Sequence, residues 1–452
     1  MGLSQSDSHA PAGPRGISLL WVALLLLITP VVVFWRPQMF FNGDDWIALW
    51  QISANSFGQY LITPDTEHWY PFFKLIFYSL LKVFGTHYSL LVLINCLLAG
   101  VNAFLLYLFC QRLFSPYLAL TLALIYILSG AQTTGIWTAH NITLILCLGF
   151  FLGALLLTDS YLSSPRPAYL LGIGLCAGLS TLSNNSIILG LAALPLYALL
   201  TGGATGRSRF WPLAVLIGLV YLLFGWGYFT FAGLDAASSH NIRLFAGLPG
   251  PGYLLHWFYA SFLSPFIYLF WGHYHFPVWA IILGILLLAL CLALIWWRGE
   301  TQDRWLAFWA LILNSLPFFL TSLIRYQRSI DQAFVPRYTL YTLIGALILL
   351  GTAWRSFSRK QPQGLGYRLI PLALLLVLLA GQILSLPKWE KMYAQMSQDS
   401  LNYYRSFPES APPGQSSPDQ AGQSFMQARH PGLTVQQKQA IRRFLSDLPP
   451  DT

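Results

Sequence analysis

The sequence predicts an all-α polytopic membrane protein with about 11 transmembrane helices, within a range of roughly 10 to 13. Of its 452 residues, 56% are hydrophobic and only 9% are charged, whereas soluble domains carry about 25% charged residues. Apolar runs of about 20 residues, long enough to cross a bilayer, recur along most of the chain. Because lipid satisfies no backbone polar group, these runs are expected to be helical.

The apolar runs follow one another from residue 17 to residue 386. The first run is too long for the apolar core of a signal peptide, so we expect a retained first helix. The predicted spans cover residues 17–35, 88–110, 116–134, 142–162, 167–183, 186–200, 211–231, 277–297, 305–323, 338–354 and 369–386.

Basic residues gather in alternate loops, which marks the cytoplasmic side by the positive-inside rule. They are Arg112, Arg166, Arg207, Arg209, Arg298, Arg304, Arg355, Arg359, Lys360 and Arg368. Residues 1–16 are then a cytoplasmic N-terminus and the loop at 36–87 is outside. Residues 253–271 are apolar, but a further span there would invert the later basic loops. We therefore expect a re-entrant or interfacial segment on the outer face.

Three parts of the chain are predicted from these patterns. The transmembrane domain covers residues 17–387 and contains the outer loop at 36–87. In that loop, residues 71–84 predict an interfacial helix that begins at Pro71, with Lys74 and Lys82 snorkelling to the headgroups. Residues 388–452 are hydrophilic and form a predicted outer C-terminal tail, with a flexible stretch at 406–421 and a short helix at 436–448.

Charge and cysteine usage exclude several classes. The net charge of +9 is spread over short loops rather than a basic stripe, so membrane lipids are expected partners and nucleic acid is not. The five cysteines lie in apolar runs without paired spacing, which indicates neither a disulfide framework nor a zinc site.

Two adjacent carboxylates, Asp44 and Asp45, follow the first predicted span. Ionisable groups at a membrane are costly and mark functional sites more often than surface charges of soluble proteins do. The acidic pair is therefore a candidate catalytic site. A solvated loop that ends a helix is the alternative interpretation.

The motifs that follow this pair resemble the GT-C superfamily of membrane glycosyltransferases, which includes protein O-mannosyltransferases and the aminoarabinose transferases of lipid A. The similar region covers about residues 40–165, and Arg337-Tyr338 resembles a late arginine–tyrosine element. The other motifs are His68-Trp69-Tyr70-Pro71-Phe72, Phe84-Gly85-Thr86-His87-Tyr88, Leu93-Ile94-Asn95, Asn102-Ala103 and Gln111-Arg112-Leu113-Phe114. Two positions depart from the family, which usually has Arg at Tyr70 and in several members Glu at Asp45.

The resemblance implies a glycosyltransferase that moves a sugar from a polyprenyl-phosphate donor to a lipid, glycan or protein acceptor, with inversion. Asp44 is implied as the base that removes the acceptor's proton, and Asp45 as its neighbour. Glu67 and His68 are expected to bind the acceptor or orient the base. A helix-start charge is an equal interpretation of Glu67. In a bacterium, the site would face the periplasm from the inner membrane.

The departing phosphate needs cations, and Arg matches phosphate oxygens bidentately. Arg337 is the first choice because it belongs to the family's element and lies next to a span. The further predicted phosphate-binding residues are Arg325, Arg328, Tyr338 and Arg243. Ion pairs with Asp331 or lipid headgroups are the alternative for the arginines of this outer loop. No cofactor is expected, although Asp44 and Asp45 with an outer His or Glu offer oxygen-rich ligands for Mg²⁺ or Mn²⁺.

Two other classes remain open. A transporter or flippase of lipid-linked glycans would have ionisable residues at mid-span and inverted repeats, but here charges gather at span ends. A noncatalytic GT-C relative in the cell envelope is the other alternative, and Tyr70 in place of Arg favours it.

Overall fold

A computed structural model of the chain describes residues 18–36, 40–41, 44–64, 68–231, 251–271, 276–325, 336–359, 365–405 and 435–448, and every regular element in these ranges is helical. In chain order the α-helices are α1 (Leu19–Phe34), α2 (Asp44–Ala54), α3 (Phe57–Ile62), α4 (Pro71–Phe84), α5 (Tyr88–Leu113), α6 (Pro116–Leu128), α7 (Ala131–Trp137), α8 (Ile142–Ser163), α9 (Pro167–Ser183), α10 (Ala193–Thr201), α11 (Gly203–Phe231), α12 (Pro251–Phe258), α13 (Ser264–Tyr268), α14 (Val278–Arg298), α15 (Thr301–Arg325), α16 (Pro336–Ser358), α17 (Leu365–Arg405) and α18 (Val435–Ser446). Two 3₁₀ segments, Ala139–Asn141 and Asn185–Ala192, and one π-helical turn, Tyr259–Leu263, complete the set.

The all-α membrane prediction is confirmed. Five of the described helices are long and apolar enough to cross a membrane, and the bent pair of α6 and α7 would make a sixth. All eleven predicted spans fall on helical segments. The outward sides of α11 and α14 expose large apolar side chains such as Trp226 and Leu286, which is the pattern of helices that face lipid.

The predicted span at 116–134 is broken. Its two halves, α6 and α7, meet at an angle of 58°, and the break falls on Ser129 and Gly130. Ser–Gly pairs are common sites of sharp helix kinks. The Ser129 hydroxyl donates to the carbonyl oxygen of Tyr268 at 3.2 Å, which ties the kink to the end of α13.

Helices cross closely where glycine removes the side chain. A Cβ atom on Gly100 of α5 would lie 2.8 Å from the Leu26 carbonyl oxygen of α1, and one on Gly345 of α16 would lie 2.7 Å from the Ala310 carbonyl oxygen of α15. Within lipid, helix association depends on such close packing because no hydrophobic gain separates helix from lipid.

The bundle has two chemically different ends. One end, which we call the arginine face, contains Asp159, Asp303, Arg112, Arg355 and Arg359. The opposite end, which we call the aspartate face, contains Asp44, Asp45, His68 and His140. On α5, Tyr88 lies at the aspartate face and Arg112 at the arginine face, about 36 Å apart along the axis. That separation exceeds the hydrocarbon thickness of about 30 Å.

The segment between α11 and α14 lies on the aspartate-face half of its neighbours. The Tyr253 hydroxyl donates to the Phe319 carbonyl oxygen near the end of α15 at 3.3 Å, and the Ser264 and Thr339 hydroxyls are 2.6 Å apart at the start of α16. Both α15 and α16 have their other ends at the arginine face. These contacts agree with the predicted re-entrant or interfacial segment.

The last long helix differs from the predicted division at residue 387. Helix α17 has 41 residues and is about 60 Å long, twice the hydrocarbon thickness. It therefore continues through Pro387 to Arg405 and carries the start of the hydrophilic region beyond the membrane as helix. Helix α18 lies where the short helix at 436–448 was expected, and residues 406–434 lie outside the described ranges.

Candidate active site

Asp45 is the centre of the site because three separate elements meet on its carboxylate. Its side chain is fully buried, with 0% exposure. Its Oδ2 accepts a hydrogen bond from the Tyr88 hydroxyl at 2.9 Å, and its Oδ1 accepts one from the His140 backbone N–H at 2.7 Å. Tyr88 begins α5, and His140 lies in the 3₁₀ segment between α7 and α8, so the carboxylate joins α2 to both.

The groups that hold Asp45 are themselves fixed. The Tyr88 hydroxyl oxygen accepts from the Ala139 N–H at 3.0 Å and lies 3.0 Å from the Trp137 carbonyl oxygen. The Asn95 amide donates to the carbonyl oxygens of Ile136 and Thr138, both at 3.1 Å. Buried hydrogen bonds are strengthened by the low local dielectric, so these bonds hold the backbone around Trp137 in place behind Asp45.

Asp44 differs from its neighbour in exposure. It is the first residue of α2, and its side chain is half-buried, whereas Asp45 points into the protein. The positive end of the α2 dipole favours a carboxylate at this position. The two acids are therefore not equivalent: Asp44 keeps part of its surface exposed, and Asp45 is buried and oriented by the protein.

His68 and Tyr70 connect the start of α4 to the same frame. His68 Nδ1 is hydrogen-bonded to the Asn185 side-chain oxygen, and its ring stacks on Tyr70 with centroids 5.8 Å apart. Tyr70 is buried, and its hydroxyl lies 3.5 Å from His140 Nε2. The position where related chains usually have Arg thus packs against the histidine whose backbone holds Asp45.

Lys74 does not snorkel, so that part of the interfacial-helix prediction is wrong. Its side chain is 1% exposed. The ammonium donates to Gln51 Oε1 at 2.9 Å and lies 4.8 Å from the centroid of the Tyr60 ring. These partners are on α2 and α3, so Lys74 ties α4 to both helices. The contacts compensate the buried ammonium for part of the hydration that it would have at the headgroups. Lys82, by contrast, is exposed as predicted.

Several predicted site residues lie outside the described part of the structure. Glu67, Arg328 and Arg243 fall in undescribed segments. Arg325 ends α15, and Arg337 and Tyr338 lie in the first turn of α16, but their side chains are outside the described atoms. Their roles stay predictions. Both helix ends are nonetheless at the aspartate face.

A bound divalent metal ion is the alternative to metal-free chemistry at this site. Within the described ranges, no group of three or more His, Cys, Asp or Glu side chains is arranged to hold a metal ion. Asp45 already accepts two hydrogen bonds from protein donors. The expectation of a metal-free reaction stays a prediction.

Sequence reasoning assigned no role to Tyr88 or Asn95, although both lie within the motifs that carried the resemblance. A signal for them exists in the spacing. Seven residues separate them on α5, which places both on one helical face, and each is a polar group in a mostly apolar span. Polar groups in lipid-embedded helices need an internal partner, so this spacing could have identified them.

Residues 67–229, about a third of the chain, match the family model described as dolichyl-phosphate-mannose-protein mannosyltransferase. Among solved structures, the chain is similar to ArnT from Cupriavidus metallidurans bound to undecaprenyl phosphate, with 15% sequence identity and a TM-score of 0.54. The alignment covers 88% of this chain and 82% of ArnT. A search of curated protein sequences gives no significant match.

These findings confirm the predicted resemblance to the GT-C superfamily. The chain is an integral membrane protein whose fold is similar to that of ArnT, and its residues 67–229 are similar to the mannosyltransferase family. The matched region begins at residue 67, whereas the predicted region of similarity began near residue 40. It thus contains His68 and Tyr70 but begins after the acidic pair, so the roles of Asp44 and Asp45 depend on the geometry.

Proposed function

We propose that the protein transfers a sugar from a polyprenyl-phosphate donor to an acceptor, by an inverting mechanism at the aspartate face. The observation that carries the proposal is the partly exposed Asp44 beside a fully buried Asp45 that the protein holds by two hydrogen bonds. The GT-C fold and the mannosyltransferase family match support it, as does ArnT, a similar fold that binds undecaprenyl phosphate.

In this reaction Asp44 acts as the general base. It takes the proton of the acceptor hydroxyl while the acceptor oxygen attacks the anomeric carbon from the side opposite the phosphate. The bond between that carbon and the phosphate oxygen breaks, and polyprenyl phosphate leaves with the electron pair. A single displacement of this kind inverts the anomeric centre, and the proton remains on Asp44 until solvent removes it.

Asp45 serves this step without contacting the acceptor. Its bonds to Tyr88 and to the His140 backbone fix the first turn of α2, and Asp44 is the adjacent residue in that turn. Holding a base within a small range of orientations lowers the entropic cost of reaching the transition state.

The leaving phosphate is assigned to the basic residues that the sequence places near the aspartate face. Arg337 is first among them because it lies in the opening turn of α16. Arg325, Arg328, Tyr338 and Arg243 complete the proposed set, and His68 and Glu67 are assigned to the acceptor side. A guanidinium stabilises the charge that develops on a phosphate oxygen, so the proposed reaction needs no metal.

Membrane orientation follows from the charges at the two ends. The arginine face is assigned to the cytoplasm by the positive-inside rule, and the aspartate face to the opposite side. In a bacterium this corresponds to an inner-membrane enzyme whose site faces the periplasm.

The test is the substitution Asp44→Asn in the full chain, reconstituted in proteoliposomes with a panel of polyprenyl-phosphate sugars and acceptors. Loss of a general base should lower the transfer rate by about 10²–10⁴-fold. The matched control is Asp159→Asn, the same chemical change at the arginine face, where Asp159 accepts from Arg112 and Tyr197. The control should retain transfer. Wild-type transfer rates in Asp44→Asn would reject Asp44 as the base.

One observation favours a second function, that of a noncatalytic GT-C protein of the cell envelope. Tyr70 is buried against His140 where related chains usually have Arg, so this loop supplies one cation fewer to a phosphate. Such a protein would bind polyprenyl phosphate without turnover. Saturable binding by the wild type, with no transfer from any donor in the panel, would support this function instead.

A further inference from the structure

The membrane-distal end of α17 runs beside the helix that carries the acidic pair. Trp46, the residue after Asp45, is fully buried. Its ring lies 5.8 Å from that of Tyr403 in an edge-to-face arrangement and 6.2 Å from that of Tyr404 in a stacked one, with an interplanar angle of 19°. Two aromatic rings of the C-terminal region thus enclose the side chain next to the pair.

Helix α17 also contacts Phe40, which precedes the acidic pair in the chain. The Phe40 ring lies 5.8 Å from that of Tyr404, and the Phe40 N–H donates to the Ser397 hydroxyl at 3.4 Å. Tyr404 therefore touches rings both before and after the two carboxylates, at Phe40 and Trp46. One side chain links the two ends of the segment that contains the acidic pair.

A third contact reaches the frame behind Asp45. The Tyr393 ring lies 4.6 Å from that of Trp137, edge to face, and the Trp137 carbonyl oxygen lies 3.0 Å from the Tyr88 hydroxyl. An ion pair between Arg36 and Glu390 fixes the helix near the end of α1.

These contact residues share one face of α17. Glu390, Tyr393, Ser397 and Tyr404 follow one another at intervals of three, four and seven residues, which aligns side chains on one side of an α-helix. Helix α18 also contacts this part of α17, since the Lys438 ammonium lies 5.1 Å from the centroid of the Tyr403 ring.

We propose that this face of α17 positions the acidic pair, and that Tyr404 is its main positioning residue. Helix α2 has only 11 residues, and helices shorter than about 12–15 residues are marginal on their own in water. Its order therefore depends on packing. Helix α18 covers part of α2, and the aromatic rings of α17 supply the packing at Trp46, next to the acidic pair. Tyr404 does not contact the reacting atoms. Its kinetic consequence rests on the proposed function, whereas its effect on α2 does not.

The experiment compares full-length wild type, Tyr404→Ala and Tyr404→Phe in nanodiscs, with two readouts. Hydrogen–deuterium exchange of the α2 peptide should be at least about 3-fold faster in Tyr404→Ala, and Tyr404→Phe should restore the wild-type rate because it keeps the ring. Because the ring orients Asp44 without contacting the substrate, kcat should fall by about 3–10-fold in Tyr404→Ala while KM changes less than about 2-fold. This fall corresponds to about 0.6–1.4 kcal/mol, which is within the range of an aromatic pair.

The matched control is Phe229→Ala, which removes an exposed ring of α11 and should leave both readouts unchanged. If Tyr404→Ala does not yield folded protein, Tyr404→Leu, which keeps apolar bulk without the ring, takes its place with the same expected results. Both readouts can then be compared between folded proteins.

The two readouts separate this proposal from the proposed function. Unchanged exchange in α2 would overturn the positioning role whatever the transfer rate. Faster exchange in a protein whose wild type shows no transfer would support positioning while the catalytic function fails. Faster exchange with a rise in KM alone would overturn positioning and indicate a substrate contact.

Discussion

The two ends of the bundle each bury a carboxylate, but they hold it in different ways. At the arginine face, Asp303 is fully buried and accepts from Arg355 Nε and Arg359 Nη1, both at 2.8 Å. At the aspartate face, Asp45 is equally buried and accepts from the phenol of Tyr88 and a backbone amide. The described hydrogen bonds to Asp303 include two from full positive charges, and those to Asp45 come from neutral donors.

This difference indicates different tasks. The two guanidinium groups offset the charge of Asp303 and tie the end of α16 to the start of α15, so the contact serves the fold. Neutral donors orient the Asp45 carboxylate without themselves cancelling its charge, which suits a group beside a proposed base. We therefore expect substitutions at the arginine face to change stability and those at the aspartate face to change transfer.

The largest expected effect on stability is that of Asp303→Asn. Removing one partner of a buried ion pair leaves the other charges uncompensated, at a cost of about 3–5 kcal/mol. Arg355 and Arg359 keep part of their exposure to solvent, so we expect about 3 kcal/mol, the low end of that range. Thermal unfolding in detergent should show a clear drop in the melting temperature.

Transfer activity per folded molecule should stay near wild type in Asp303→Asn, because the site is a membrane thickness away. Loss of specific activity in well-folded protein would contradict the assignment of the arginine face to stability and the aspartate face to transfer. If a second substitution that removes Arg359 restored stability, this would support the assignment.

Much of the fold could be predicted because apolar runs and basic loops report the membrane directly. The spans that became α5, α8 and α14 were placed within a few residues. The kink at Ser129 and Gly130 was not predicted, because the hydropathy of the run continues across it. The extension of α17 to Arg405 was not predicted either, because hydropathy reports only the part of a helix that lies in lipid.

The site was less accessible to sequence reasoning. Adjacent acids after a first span predict a catalytic role for Asp44 and Asp45, but their different exposures depend on partners distant in the chain, Tyr88 and His140. Lys74 was placed at the headgroups because helical spacing alone does not show that α2 and α3 fold over it. Tertiary contacts of this kind leave no periodic signal.

The next effect in size is that of Tyr88→Phe, which tests the neutral side of the comparison. The substitution removes the donor to Asp45 and the acceptor of the Ala139 N–H, while the ring stays. A buried group left unsatisfied costs about 1–3 kcal/mol. Asp45 keeps its bond from the His140 N–H, so we expect about 2 kcal/mol in all. We expect transfer to fall by about 10-fold as Asp45 loses its orientation, with a smaller loss of stability than in Asp303→Asn.

The measurement is the transfer rate in proteoliposomes together with thermal unfolding of the same preparations. Tyr107→Phe is the control, because Tyr107 lies on the same helix, α5, away from Asp45. A Tyr88→Phe protein that keeps its transfer rate but loses stability would show that the Tyr88 bond serves the fold, as the arginine bonds of Asp303 do.

The smallest effect is expected for Arg112→Gln, which separates exposed from buried pairing within the arginine face itself. Arg112 donates to Asp159 at 2.9 Å, but its side chain is 40% exposed, and exposed ion pairs contribute about 0–1 kcal/mol. The substitution should lower the melting temperature far less than Asp303→Asn, and the difference from wild type should shrink at high salt because salt screens exposed charges. If Arg112→Gln lowered the melting temperature as much as Asp303→Asn, burial of the carboxylate would not determine how much an ion pair at the arginine face contributes to stability.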